Sequence, residues 1–299
     1  MMSTDKNAGN VPEKKEKKKM GMKAKSRLSN TIIYVVLVLI SIVWLTPFVC
    51  IVLQSFRTES TWMVGYVIPQ KWGLDNYIKL FDSDFVRWYK NTFLIAVVVA
   101  VVNPIMVLCM SYTLSRFRFK MRKALMKFML VLGLFPGILG MIILYRILKD
   151  LGLTQEHAVP GLILVYCASA GMGYYISKGF FDTIPMSLDE SAKIDGANRL
   201  QIFIKIIMPL AKPIVIYTIL TAFLGPWGDF MFAKYISFGN PKGMNVAVGL
   251  ASWLTPDQID VKYTMFCAGG VLVAIPVTLL FLFLQRYYVE GITGGSVKG

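Results

Sequence analysis

From residue 31 to residue 53 the chain reads TIIYVVLVLISIVWLTPFVCIVL, an apolar run without one charged side chain. About twenty apolar residues in a helix cross a bilayer core, where backbone groups must pair internally, so only helices and closed barrels span it. That one stretch removes most soluble folds. No small-residue cleavage pattern follows it, so it reads as a membrane helix and not as a leader. Comparable runs at 91–114, 124–148, 159–181, 213–232 and 263–284 bring the expected spans to six. The expected fold class is an all-α integral membrane protein.

Charged residues make up only 16% of the chain and hydrophobic ones 56%, whereas soluble domains carry roughly a quarter charged residues. Lipid is the expected solvent. A net charge of +15 would also suit nucleic acid, but the cations are not spread as a binding surface needs. They gather at Lys14, Lys15, Lys17, Lys18, Lys19, Lys23, Lys25 and Arg27, at Arg116, Arg118, Lys120, Arg122 and Lys123, and at Lys193, Arg199 and Lys205. Under the positive-inside rule these segments share the cytoplasmic face, which puts both termini there. No nucleic-acid partner is expected. Residues 1–28 read as a disordered basic cytoplasmic tail, and 29–299 as the six-helix domain ending in a cytoplasmic tail at 285–299. The segments 57–90, 149–158 and 236–262 are expected outside, the first ordered by Trp72 and Trp88.

Within the spans, Pro136 between Gly133, Gly137 and Gly140 should kink the third helix. Ser169, Ala170, Gly171 and Gly173 would let a neighbour approach the fourth closely. Asp229 is the only carboxylate in or near a span, toward its outer end. Ion-driven transport needs buried acids or ion sites near the midplane, and an intramembrane enzyme needs a nucleophile or metal ligands at depth. Neither pattern is present. The four cysteines lie in apolar runs and His157 is the sole histidine, in a polar loop, so no metal site and no catalytic residue is expected. No GxxxxGK[ST] loop exists to bind ATP.

The longest polar interruption is 185–213, PMSLDESAKIDGANRLQIFIKIIMPLAKP. Ser187 with Glu190 fits a capping box, Leu188, Ala192 and Asp195 follow at helical spacing, and Gly196 supplies a left-handed stop. Asn198 with Gln201 opens a second helix, whose apolar stripe is Leu200, Phe203 and Ile207, up to Pro209. Two helices this short are marginal alone, so a partner surface must receive them. An amphipathic hairpin lying on the membrane is the plain alternative.

ESAKIDGA followed by IIMP resembles the EAA signature of bacterial ABC importer permeases, with Ser191 in place of the usual alanine. LSRFRFK, LYRILKDLGL, GFFDTIP, PWGDF and the ending LFLQRYYVEGITGGSVKG are similar to the maltose-type carbohydrate branch of that family. The resemblance implies the type I importer permease fold and half of a translocation pathway. The other half would be a second permease, joined by two ATPase subunits that bind ATP and magnesium, and by an extracellular or periplasmic sugar-binding protein. This chain would itself hold no cofactor.

The same resemblance assigns roles. Glu190, Ser191, Ala192, Asp195, Gly196, Ala197 and Pro209 would dock on the ATPase, and Gly294, Gly295 and Ser296 would belong to a tail running between ATPase subunits. Gly239, Asn240, Pro241, Lys242 and Gly243 would meet the binding protein, although the same residues make ordinary turns. Pathway candidates are Pro136, Tyr174, Trp227 and Asp229. The segment MNVAVGLASWL points to an oligosaccharide such as maltose or maltodextrin. Another sugar of the same branch, or a scaffold that only recruits a cytosolic partner, remains the alternative.

Overall fold

The computed structural model describes residues 22–134, 137–169 and 173–296, with side chains from 30 to 285. Helix α1, Met22–Ser55, opens within the segment expected as a tail. Its stretch up to Val49 belongs to a separate unit, in which every described side chain is exposed. An apolar helix exposed on all sides is one made for lipid or another membrane chain.

The second unit, Cys50–Gly299, is helical, with a single isolated bridge between Arg57 and Trp72 and no strand among the described residues. Helix α2, Asp75–Phe81, precedes α3, Phe85–Arg116. Helix α3 starts at Phe85 and not near 91. Trp88, which looked too polar a neighbourhood for a span, is buried against protein and bonded to it, so the helix continues outward. Helices α4, Arg122–Gly133, and α5, Gly137–Asp150, meet at 98°. Pro136, proposed as the kink, lies outside the described residues.

A 3-10 turn at Gln155–His157 leads into α6, Ala158–Ala168, and α7, Gly173–Thr183, follows. Ala170 and Gly171 lie outside the described residues. Next come α8, Met186–Ile194, the single turn α9, Arg199–Gln201, a π-helix at Ile202–Ile207, and the turn α10, Met208–Leu210. Helix α11, Lys212–Gly228, leaves that segment at 84°. It ends before the expected 232, because Asp229 turns away to start α12, Met231–Ser237. The loop expected at 236–262 contains α13, Val246–Ser252. Helix α14, Ile259–Ser296, closes the chain, so its backbone stays helical through Gly294, Gly295 and Ser296.

Four helical stretches among the described residues are long and apolar enough to cross a membrane, and the two bent pairs bring the number to six. Helix α3 is the axis: α6, α7, α11 and α13 all pack on it. One core gathers around Trp88, Trp253 and Leu162, and a second around Tyr112, Phe181 and Ile207 below the hairpin.

Breaks in the helices free backbone carbonyls that lipid cannot satisfy, and asparagines meet them. Asn103, midway along α3, donates to Tyr166 O at 3.0 Å, Cys167 O at 3.2 Å and Ser169 O at 2.7 Å, where α6 comes apart. Asn245 donates to Pro226 O at 3.2 Å and Asp229 O at 2.6 Å at the end of α11, while its Oδ1 caps α13. Asn76 donates to Ser55 O and Arg57 O and accepts from Thr264, joining the end of α1, α2 and α14.

Candidate functional site

The polar hairpin is built from two turns and a widened helix. Helix α8 begins one residue before Ser187, with Pro185 as its cap in extended conformation, and no side chain caps it. Ser187 and Glu190 therefore form no capping box. Proline has no N–H and a φ already suited to a helix start, so it takes that place. Helix α8 ends in a Schellman motif: Ala197 N donates to Ala192 O at 2.9 Å, Gly196 N to Lys193 O at 3.1 Å, and Gly196 stands at φ +82°. The second start is reciprocal, with Gln201 N bonded to Asn198 Oδ1 at 2.9 Å and Asn198 N to Gln201 Oε1 at 2.8 Å.

Beyond it the chain winds as a π-helix, and a longer turn changes which residues share a face. Ile202 and Ile207 are both buried, whereas Leu200, expected on the apolar stripe, is 65% exposed. Phe203 keeps its place by packing on Tyr112 at 4.6 Å between ring centroids. The outward surface carries Glu190, Ser191, Asp195, Gly196 and Pro209, with Ala197 half-buried and Ala192 buried. Ile194, at the turn, is 86% exposed. Leu188, Leu200 and Ile204 are exposed on the same segment, so the hairpin carries several bare apolar side chains and not an isolated one.

The membrane-depth candidate is a cleft of about 400 Å³ between α3, α6, α7 and α11. Asn103, Tyr166, Ser169, Tyr217, Thr221 and Asp229 supply its polar lining. Tyr166 donates its phenol to Asp229 Oδ2, and Asp229 Oδ1 accepts from Phe232 N at 3.1 Å. Tyr174 and Trp227 do not line the cleft: Tyr174 is half-buried on α7, and Trp227 packs in the core on Tyr89 at 5.3 Å. Sequence reasoning passed over Tyr166, which nothing local distinguishes from any aromatic in a span. Asn103 did carry a signal, a lone amide in mid-span.

The turn at Gly239–Gly243 is held by its backbone. Trp88 Nε1 donates to Pro241 O at 3.1 Å, and Asn91 donates to Lys242 O and Met244 O, each at 2.9 Å. Gly239 needs its freedom at φ +77°, and a Cβ on Gly243 would lie 1.8 Å from Gln155 O. Pro241 and Lys242 point outward, and Lys242 Nζ meets Glu156 at 2.7 Å. Gly294, Gly295 and Ser296 lie beyond the last described side chain. Among the described residues no three metal-ligating side chains cluster.

A family described as binding-protein-dependent transport system inner membrane component matches residues 107–294. The maltodextrin transport system permease protein MdxG of Bacillus subtilis is 34% identical over 268 residues, covering 89% of this chain and 95% of its own. The galactooligosaccharides transport system permease protein GanQ of the same organism is 35% identical over 271 residues, covering 89% and 94%. The crystal structure of a bacterial ABC transporter that imports the acidic polysaccharide alginate matches with a TM-score of 0.75 at 23% identity, over 88% of this chain and 98% of that one. The two chains share a fold.

Proposed function

The chain belongs to the binding-protein-dependent transport system inner membrane component family, and from that premise we propose that it forms half of the pathway of an ATP-driven oligosaccharide importer. It is a bacterial membrane transport component of the maltose-type carbohydrate branch and not a catalytic subunit. In the proposed assembly a second permease completes the pathway. Two ATPase subunits hold ATP and magnesium on the cytoplasmic side, where both termini lie, and a sugar-binding protein delivers substrate from outside.

One observation carries the coupling assignment. The 185–213 hairpin presents Glu190, Ser191 and the exposed Ile194 on a short helix whose C-terminal end is closed by the Schellman turn at Asp195 and Gly196. A rigid, capped, partly apolar projection suits docking into a cleft on the ATPase. ATP-driven closure would then push α8 and rock the bundle behind it, opening the cleft to the other side. The Asp229–Tyr166 cleft is the candidate stretch of pathway in this chain: hydroxyls, an amide and a carboxylate suit the hydroxyl groups of a sugar. On the outer face, Asn240, Pro241 and Lys242 would meet the binding protein, and Gly294, Gly295 and Ser296 would run toward the ATPases.

Relatives named for maltodextrin and for galactooligosaccharides favour a neutral oligosaccharide. Uptake into proteoliposomes holding the full assembly and ATP, offered maltodextrins and galacto-oligosaccharides in turn, tests this. Uptake of one series supports the reading. Transport of neither, with an ATPase still bound, would point to another sugar of the same branch or to the scaffold instead.

A further inference from the structure

Helix α8 is poorly anchored for an element that must transmit force. Of its nine residues only Asp189 and Ala192 are buried. Ala192 contributes one methyl group to the aromatic cluster around Tyr112. Asp189 meets Arg116, in the last turn of α3, with Nε 3.4 Å from Oδ2 and both side chains about 5% exposed. The same guanidinium donates through Nη2 to Ile184 O at 2.9 Å and lies 2.8 Å from Met186 Sδ through Nη1. One side chain from α3 thus holds the end of the α7–α8 link, the first residue of α8 and its buried acid. Tyr112, one turn earlier on α3, faces the same carboxylate.

Burying a charge pair adds little stability over a packed apolar pair. What it adds is direction: Ile184 O and Met186 Sδ fix the plane of the guanidinium, and its Nε meets Asp189 as a single charge contact without a hydrogen bond. A methyl contact would let α8 roll.

We propose that Arg116 is a positioning residue that locks α8 to the cytoplasmic end of α3, so that displacement of the hairpin moves α3 and is not absorbed at 185–198. This rests on the reading of 185–213 as the coupling element. Helix α3 supplies Asn103 and one wall of the polar cleft, so the lock makes a continuous rigid path from hairpin to cleft.

The test uses the full assembly in nanodiscs, with Arg116→Lys and Asp189→Asn as variants that keep size and partial bonding. Spin labels on cysteines placed at the exposed Thr113 of α3 and Ser187 of α8, in a background lacking the four native cysteines, report the lock directly. The expected result is a widened distance distribution in both variants. ATP consumed per sugar transported should rise several-fold while the ATPase still copurifies. A merely structural role would lower yield and leave that ratio unchanged. Unchanged distributions and ratio in both variants would overturn the proposal, as would failure of both to assemble, which would make Arg116 a folding residue. Widened distributions with an unchanged ratio would instead refute the coupling assignment of the hairpin and with it the role proposed for the lock.

Discussion

The phenol of Tyr166 on α6 donates to the carboxylate of Asp229, just past the end of α11, and that carboxylate's other oxygen accepts from Phe232 N at the start of α12. Asp229 O in turn accepts from Asn245 at 2.6 Å. One acidic residue thereby joins α6, α11, α12 and α13 at the rim of the polar cleft. An acid in this position is costly unless its oxygens are filled, and here both are.

Tyr166→Phe removes one of those donors without changing the ring. A hydrogen bond to a charged group contributes about 1.5–3 kcal/mol, so the variant should unfold several degrees lower in detergent. Sugar uptake should fall further than stability alone explains, because the freed carboxylate faces the cleft. Thermal unfolding and uptake on the same preparation check both parts.

Gly249→Ala tests the packing of the outer core. A Cβ there would lie 2.0 Å from the Trp88 ring, whose face is already fixed by Trp253 at 5.3 Å and by the bond to Pro241 O. Overpacking of this kind costs about 1–3 kcal/mol. Lower thermal stability and loss of near-ultraviolet circular dichroism are expected, and Gly270→Ala, with only Ile51 at 3.8 Å, should show neither.

Lys242→Ala probes the outer turn. Its pair with Glu156 is about half exposed on both sides, and such pairs contribute roughly 0–1 kcal/mol. Stability should barely move. Stimulation of ATP hydrolysis by sugar-loaded binding protein should weaken, with titration of that protein giving a right-shifted curve. An unshifted curve would assign the turn to folding only.

The sequence displayed some of this plainly. The runs at 31–53 and 263–284 are long and uncharged, and they fall inside α1 and α14. Gly196 and the Asn198–Gln201 pair announced the two turns of the hairpin, because each local rule needs only neighbouring residues. The failures have separate causes. Leu200 was placed by a 3.6-residue period that the π-helix does not keep, and Ser187 lost its cap to Pro185 two residues earlier. Asn103 with Ser169, Tyr166 with Asp229 and Arg116 with Asp189 are pairings across more than sixty residues, and no local pattern encodes them.

In the proposed function the 185–213 hairpin couples ATP hydrolysis to sugar movement. Gly196→Pro addresses it most directly, since φ +82° is closed to proline and the lost N–H is the one bonded to Lys193 O. Hydrolysis by the reconstituted assembly, measured with and without sugar-loaded binding protein, should be strongly stimulated in the native complex. In the variant that stimulation should disappear, with a weakened hold on the ATPase. Equal stimulation in both would show that the hairpin does not couple hydrolysis to sugar movement.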